Sequence, residues 1–305
     1  MIMPKPTRFI SCVIFLISAI SCGRYQMIKY NTYQIATVDN NVCKKLTGHV
    51  VLYAIFVDTR YTQPWSEYDI TSTLDSINKA ANWLEKLAQE NHISLDIEVK
   101  YHQNGRTIPL VNNFPDKTLS RTLFSPVPSF GVPKLDRWSD RIARTAGLSL
   151  PKDTSKIVKT FNRLTDRERL IARLRDLNKT DNVAVMYFIN DYYSEDISLA
   201  LHTGNSSSPE YAIVSYKRSA VIAHEFLHLF GALDLYISPF DRKKKSIKKK
   251  AEIMKLFPNE VMAFAYRQLD SLNISPFTKY LIGWENELDE SIRKKVLGKV
   301  KVVKY

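Results

Sequence analysis

The sequence predicts an α+β fold: a twisted mixed β-sheet packed on long helices, followed by an apolar helix that carries a few polar residues, followed by a smaller C-terminal part that is mostly helical or irregular. Three observations carry this expectation. HVVLYAIFVD (49–58) is β-branched, aromatic and apolar nearly throughout, as a strand buried on both faces must be. A long stretch of helical spacing and then an alternating strand follow it, which makes a βαβ opening. Two more apolar runs, DNVAVMYFIN (181–190) and YAIVSYK (211–217), read as further strands of the same sheet. With 305 residues, 45% of them hydrophobic and 25% charged, the chain can bury a sizeable core, and wholesale disorder is excluded.

In chain order, MIMPKPTR supplies Lys5 and Arg8, and FISCVIFLISAI (9–20) is a run too short to span a bilayer. This is the layout of a secretory signal. It closes in AISCG, with Ala19 three residues before Cys22, and so resembles a bacterial lipoprotein signal, although leucine is more usual at Ala19. The resemblance implies a lipid on Cys22 and export to the bacterial cell envelope, at the outer membrane or cell surface. Ordinary signal cleavage nearby is the alternative. Loss of the signal would also remove Cys12. With Cys22 lipidated, Cys43 would have no intramolecular disulfide partner. Residues 23 to about 46 show little periodicity and read as a tether.

After the first strand, SEYDITSTLDSINKAANWLEKLAQEN sets Ile70, Leu74, Ile77, Ala81, Leu84 and Leu87 on one helical face, with Ser66 or Asp69 able to cap its start. SLDIEVKYH alternates Leu95, Ile97 and Val99 with polar neighbours, as a half-covered strand does. Residues 103 to 133 are proline-rich and read mostly as loop. Helices are expected near 134–146 and 154–178, and SLALHTGNSSSPE should hold an edge strand near 198–204 with His202 at the surface.

The stretch HEFLHLFGALDLY (224–236) carries the chemistry. Positions four apart share a helix face, so His224 and His228 can present two imidazole nitrogens to one ion. Glu225, one step round, is set to take a proton from a water at that ion, the mechanics of H-E-x-x-H on a helix. Gly231 suits the sharp turn that ends a helix, and a chain turning back there can bring Asp234 in as third ligand. Average composition yields H-E-x-x-H by chance in about one in a hundred chains of this length, and the added glycine and aspartate lower that a few hundredfold. Buried histidines alone would explain His224 and His228 but leave Glu225 as a costly buried charge.

These residues resemble the metzincin zinc-peptidase motif H-E-x-x-H-x-x-G-x-x-H with aspartate in the last position, in the manner of snapalysin-type bacterial metalloproteases. The resemblance implies a metzincin-like (zincin) fold, a Zn2+ cofactor, peptide or protein substrates, Glu225 as general base, and Tyr236 near the oxyanion. It also implies a methionine turn beneath the metal. Met262 in PNEVMAF is the preferred residue for it and Met254 the competitor. A gluzincin-like scheme with Glu252 or Glu260 as third ligand, or a non-catalytic binding lipoprotein on the same fold, are the alternatives. The expected organisation is signal peptide 1–21, tether 22–46, N-terminal catalytic subdomain 47–234 and C-terminal subdomain 235–305, in a monomer. In the last of these, ISPFTKYLIGW (274–284) reads as a packing element with a helix ending at Gly283.

The net charge of +13 is partly local, because RKKKSIKKK (242–250) is basic at every position but Ser246 and Ile247. A solvated insertion is the plain reading, and a patch for anionic lipid, nucleic acid or an acidic substrate the sharper one. No zinc knuckle, RNP-like segment or helix-turn-helix pattern accompanies it, so nucleic acid is not the expected partner.

Overall fold

The apolar run beginning after Gly48 forms β1 (Gly48–Thr59), buried on both faces as its composition requires. Residues 45–59, 62–102, 107–110, 132–150, 165–190, 198–201, 210–215, 217–237, 241 and 243–296 are described by a computed structural model. Cys12, Cys22, Cys43 and His202, with the expected signal and most of the tether, lie outside these residues. Among the described residues no helix is long and apolar enough to cross a membrane.

Helix α1 (Glu67–Glu90) starts in a capping box: the Ser66 side chain accepts from the Asp69 amide and the Asp69 side chain accepts from the Ser66 amide. Both residues named as cap candidates therefore serve. Its apolar face buries Ile77, Ala81, Leu84 and Leu87, with Ile70 and Leu74 packed at the margin. Strand β2 (Leu95–Tyr101) returns parallel to β1, in register Val50 to Ile97. The proline-rich stretch is not wholly loop: Ile108–Leu110 forms β3, parallel to Val57–Thr59 of β1. Three residues with Pro109 among them give no strand periodicity, and β3 exists because the end of β1 offers it a partner.

Helices α2 (Val132–Ser149) and α3 (Asp166–Asn178) pack on one another; residues 154–164, expected to begin the second helix, lie outside the described set. Arg167 is buried between them, bonded to Asp136 and Asp140 at 2.9 Å each and lying 4.8 Å from the ring centre of Tyr211. A buried guanidinium is tolerated there because two carboxylates and a ring face surround it. Strand β4 (Asn182–Ile189) pairs with β1 on the side opposite β2. Beyond it come β6 (Tyr211–Val214), parallel, and β5 (Ser198–Leu201), antiparallel at the edge as expected for the 198–204 segment. The sheet order is β2-β1-β4-β6-β5, with β3 on β1. The fold is thus a mixed α/β arrangement on a mostly parallel sheet, compatible in general terms with the α+β expectation.

Helix α4 (Ser219–His228) follows β6 and packs on α1. After it come α5 (Lys244–Leu256), α6 (Val261–Phe264), a 3-10 turn at Leu269–Ser271, α7 (Pro276–Leu281) and α8 (Glu290–Val296). Helix α7 closes at Gly283 (φ +86°), where the Trp284 amide returns to the Lys279 carbonyl, as the sequence suggested. This C-terminal element is stitched to the entry of β1. The Leu46 amide donates to the Ile282 carbonyl at 2.9 Å, and the Trp284 indole donates to the Leu46 carbonyl at 2.7 Å. Leu46 is fully buried, so its packing belongs to the folded unit although the sequence assigned it to the tether.

Candidate metal centre

Helix α4 is apolar except where the motif falls: Ala220 through His228 are all buried, and only His224, Glu225 and His228 among them are polar. The two imidazole rings stand perpendicular with centres 4.7 Å apart. Past His228 the chain turns in the Schellman pattern, the Ala232 amide reaching the Leu227 carbonyl (3.2 Å) and the Gly231 amide the His228 carbonyl (2.9 Å). Gly231 takes φ +93°, in the left-handed region where a side chain is strained. This bend brings Asp234 back over the helix end.

Three atoms meet there. His224 Nε2 and His228 Nε2 are 3.1 Å apart, and Asp234 Oδ1 lies 3.2 and 3.1 Å from them respectively. A tetrahedral ion with bonds of about 2.0–2.1 Å sets its ligand atoms about 3.3–3.4 Å from one another, close to this triangle. The far nitrogens decide the tautomers. His224 Nδ1 lies 3.2 Å from the Val261 carbonyl and His228 Nδ1 2.8 Å from the Ala232 carbonyl. A carbonyl can only accept, so each Nδ1 is the protonated nitrogen and each neutral ring turns its Nε2 lone pair inward. Two lone pairs and a carboxylate oxygen then converge on one point, an arrangement that repels itself until a cation occupies it. Among the described residues this is the group of histidine, cysteine and acidic side chains with the spacing to hold a metal ion.

Burial pushes the Asp234 carboxyl up, but when both rings are doubly protonated their Nε2–H bonds and positive charge outweigh it and hold the group well below the usual carboxylate range. A cation standing in place of those protons acts in the same direction. The Asp234 side chain keeps 43% of its surface, against 7% and 6% for the two histidines, so the group opens to solvent on the carboxylate side. Two buried nitrogens, one oxygen and an open flank make a site where a water or a substrate carbonyl can complete the coordination.

Glu225 is buried beside this group and outside the triangle. Tyr236 stands with its ring centre 6.1 Å from that of His224. Burial raises its hydroxyl pKa, and the negative charges of Asp234, Glu225 and Asp241 raise it further. Met262 is fully buried in the segment that orients His224: Val261 provides the carbonyl, and the Met262 carbonyl accepts from the Leu235 amide at 3.0 Å. Met254 is half-buried on α5. Neither proposed glutamate substitute joins the triangle. Glu252 is exposed on α5. Glu260 is buried and committed elsewhere, accepting from the Met262 amide at 3.0 Å and from the Ser275 amide.

Sequence reasoning missed three contributors. The carbonyls of Val261 and Ala232 fix the rings, and a backbone group leaves no signature in residue type. Glu260 braces the 260–262 turn, a role visible only once Ser275 is seen beside it. Comparison with protein-family models, with curated proteins and with solved structures finds no match to this chain.

Proposed function

We propose that the chain is a zinc-dependent endopeptidase of metzincin-like type, in which His224, His228 and Asp234 hold Zn2+ and Glu225 is the general base. The observation that carries the reading is the convergence of the two Nε2 atoms and the Asp234 carboxylate within 3.2 Å of one another, each ring held at Nδ1 by a backbone carbonyl, on a helix with the base next in sequence. Mixed imidazole and carboxylate donors in a tetrahedral-sized triangle suit zinc. Zinc bound there supplies Lewis acidity, polarising a peptide carbonyl and acidifying a water. Glu225 accepts the proton of the attacking water as the oxygen adds to the carbonyl carbon, then delivers it to the leaving nitrogen as the C–N bond breaks. The edge strand β5 offers main-chain groups to an extended substrate, and Tyr236 stands beside the ion group with its hydroxyl held protonated. Export with a lipid on Cys22 belongs to the same proposal and rests on the N-terminal sequence alone.

The test is Glu225→Gln. Zinc content should stay at the wild-type level while cleavage of a peptide library falls by about 10²–10⁴-fold. Undiminished cleavage removes Glu225 as the base. A wild-type chain that holds zinc and cleaves nothing favours the binding-lipoprotein alternative.

A further inference from the structure

Between Leu235 and Met262 the chain leaves the candidate metal centre and returns to it, and the hydrogen bond between those two residues closes the base of the excursion. Helix α5 fills it. The helix is fastened on one side: Asp241 accepts from Ser246 Oγ at 3.2 Å and Lys250 Nζ at 2.7 Å, and Ile253 is buried. On the other side Lys244, Lys245, Lys248 and Lys255 are exposed. At 100° per residue they fall within an arc of about 100°, in which Glu252 is the one acid. Lys249 is half-buried at the border of that arc. Helix α8 packs against α5 and adds the exposed Lys294 and Lys295.

This face is electrostatically frustrated. Lys244 and Lys248 repel at the i, i+4 spacing, as do Lys245 and Lys249. The first turn has no acid, its cap residue Lys243 makes no side-chain cap, and lysines sit at the positive end of the helix dipole. Helices α1 and α3 each begin in a capping box with acids in the first turn. The buried α4 also starts without a cap or an acid, so the telling feature of α5 is the row of self-repelling lysines on an exposed face, which suits a partner that supplies the missing negative charge.

We propose that the exposed lysine face of α5, with the basic end of α8, docks on an anionic phospholipid surface. The chemistry favours a bilayer over nucleic acid. The exposed cations on the face of α5 are lysines, point charges suited to a diffuse layer of headgroups. Among the described residues the exposed arc of α5 holds no arginine for bidentate readout and no aromatic residue for base stacking, and Arg293 on α8 is paired with Glu290. The helix presents a straight strip about 20 Å long. The apolar run 9–20 and Cys22, on the reading given above, hold the folded unit within tether reach of a membrane, where each lysine near an anionic surface adds to the attraction. The docking surface does not depend on zinc. Its failure leaves the peptidase proposal standing, and the reverse also holds.

The experiment is flotation of the full chain with vesicles of phosphatidylcholine alone and with about one third phosphatidylglycerol, at low and at physiological salt. Binding should favour the anionic vesicles and weaken with salt. The triple change Lys244→Glu, Lys245→Glu, Lys248→Glu should weaken that preference about a hundredfold. The charge-matched control Lys79→Glu, Lys86→Glu, Lys179→Glu should leave it near wild type. An unchanged circular-dichroism spectrum and urea midpoint check that the variant is folded; if it is not, Lys→Gln at the same three positions replaces it. Equal binding to both vesicle types overturns the proposal, because the leader alone then explains attachment. Equal loss in the control, no loss in the triple variant, or tighter binding to single-stranded DNA than to anionic vesicles at the same salt overturns it as well.

Discussion

Helices α4 and α5 follow one another in the chain and live in opposite surroundings. On α4 every residue from Ala220 to His228 is buried; on α5 only Ile253 is. A charged or polar side chain costs several kcal/mol in the first setting and almost nothing in the second. Three polar residues on α4 therefore demand a purpose, whereas a run of lysines on α5 is informative only through its arrangement: one face, uncapped, self-repelling. Polarity tells most where it is hardest to accommodate.

Substitutions can break this contrast, and the largest effect should be at the proposed ligands. His228→Ala should lower zinc affinity by more than the roughly 10–100-fold typical of losing an outer partner of a metal ligand, read by competition with a chromophoric chelator. Phe226→Ala removes a buried ring from the same helix and should cost about 3–5 kcal/mol in urea unfolding.

Glu210 extends the comparison to a buried acid outside the metal group. It precedes β6, its Oε2 meets no hydrogen-bond partner among the described residues, and burial raises its carboxyl from 4.5 to about 8. Between those pH values the unfolded chain releases a proton that the folded chain keeps, so stability falls as pH rises through the window and levels off above it. Glu210→Gln should remove that slope, with a gain on the order of 4 kcal/mol at pH 8 and none below pH 4.5, measured by unfolding at several pH values. Gly231→Ala forces a side chain into φ +93° and should cost about 1–2 kcal/mol, with faster zinc release. Lys248→Ala, exposed on α5, should move stability by no more than about 0.5 kcal/mol.

The candidate site was legible because helix periodicity fixes what lies on one face. His224 and His228 had to project together, and Gly231 signalled the bend that returns Asp234. What the residues could not display was the far side of each ring, since Val261 and Ala232 act through carbonyls. In the fold, β1 and β4 follow from long unbroken apolar runs, and α1 and β2 from apolar residues on a definite period. Strand β3 does not, because three residues around Pro109 have no period and pair only where β1 ends. Leu46 shows the same limit, its place set by Ile282 and Trp284 from the far end of the chain. Local sequence speaks for elements that bury themselves by their own pattern, and is silent on those a distant partner recruits.

X-ray absorption at the zinc edge, on the full chain loaded with one equivalent of zinc, tests the centre most directly. The account predicts nitrogen and oxygen neighbours at about 2.0–2.1 Å, multiple-scattering features of two imidazoles, and loss of that spectrum when His224 and His228 are both replaced by alanine. A zinc shell without imidazole, or one that the double replacement leaves unchanged, contradicts it.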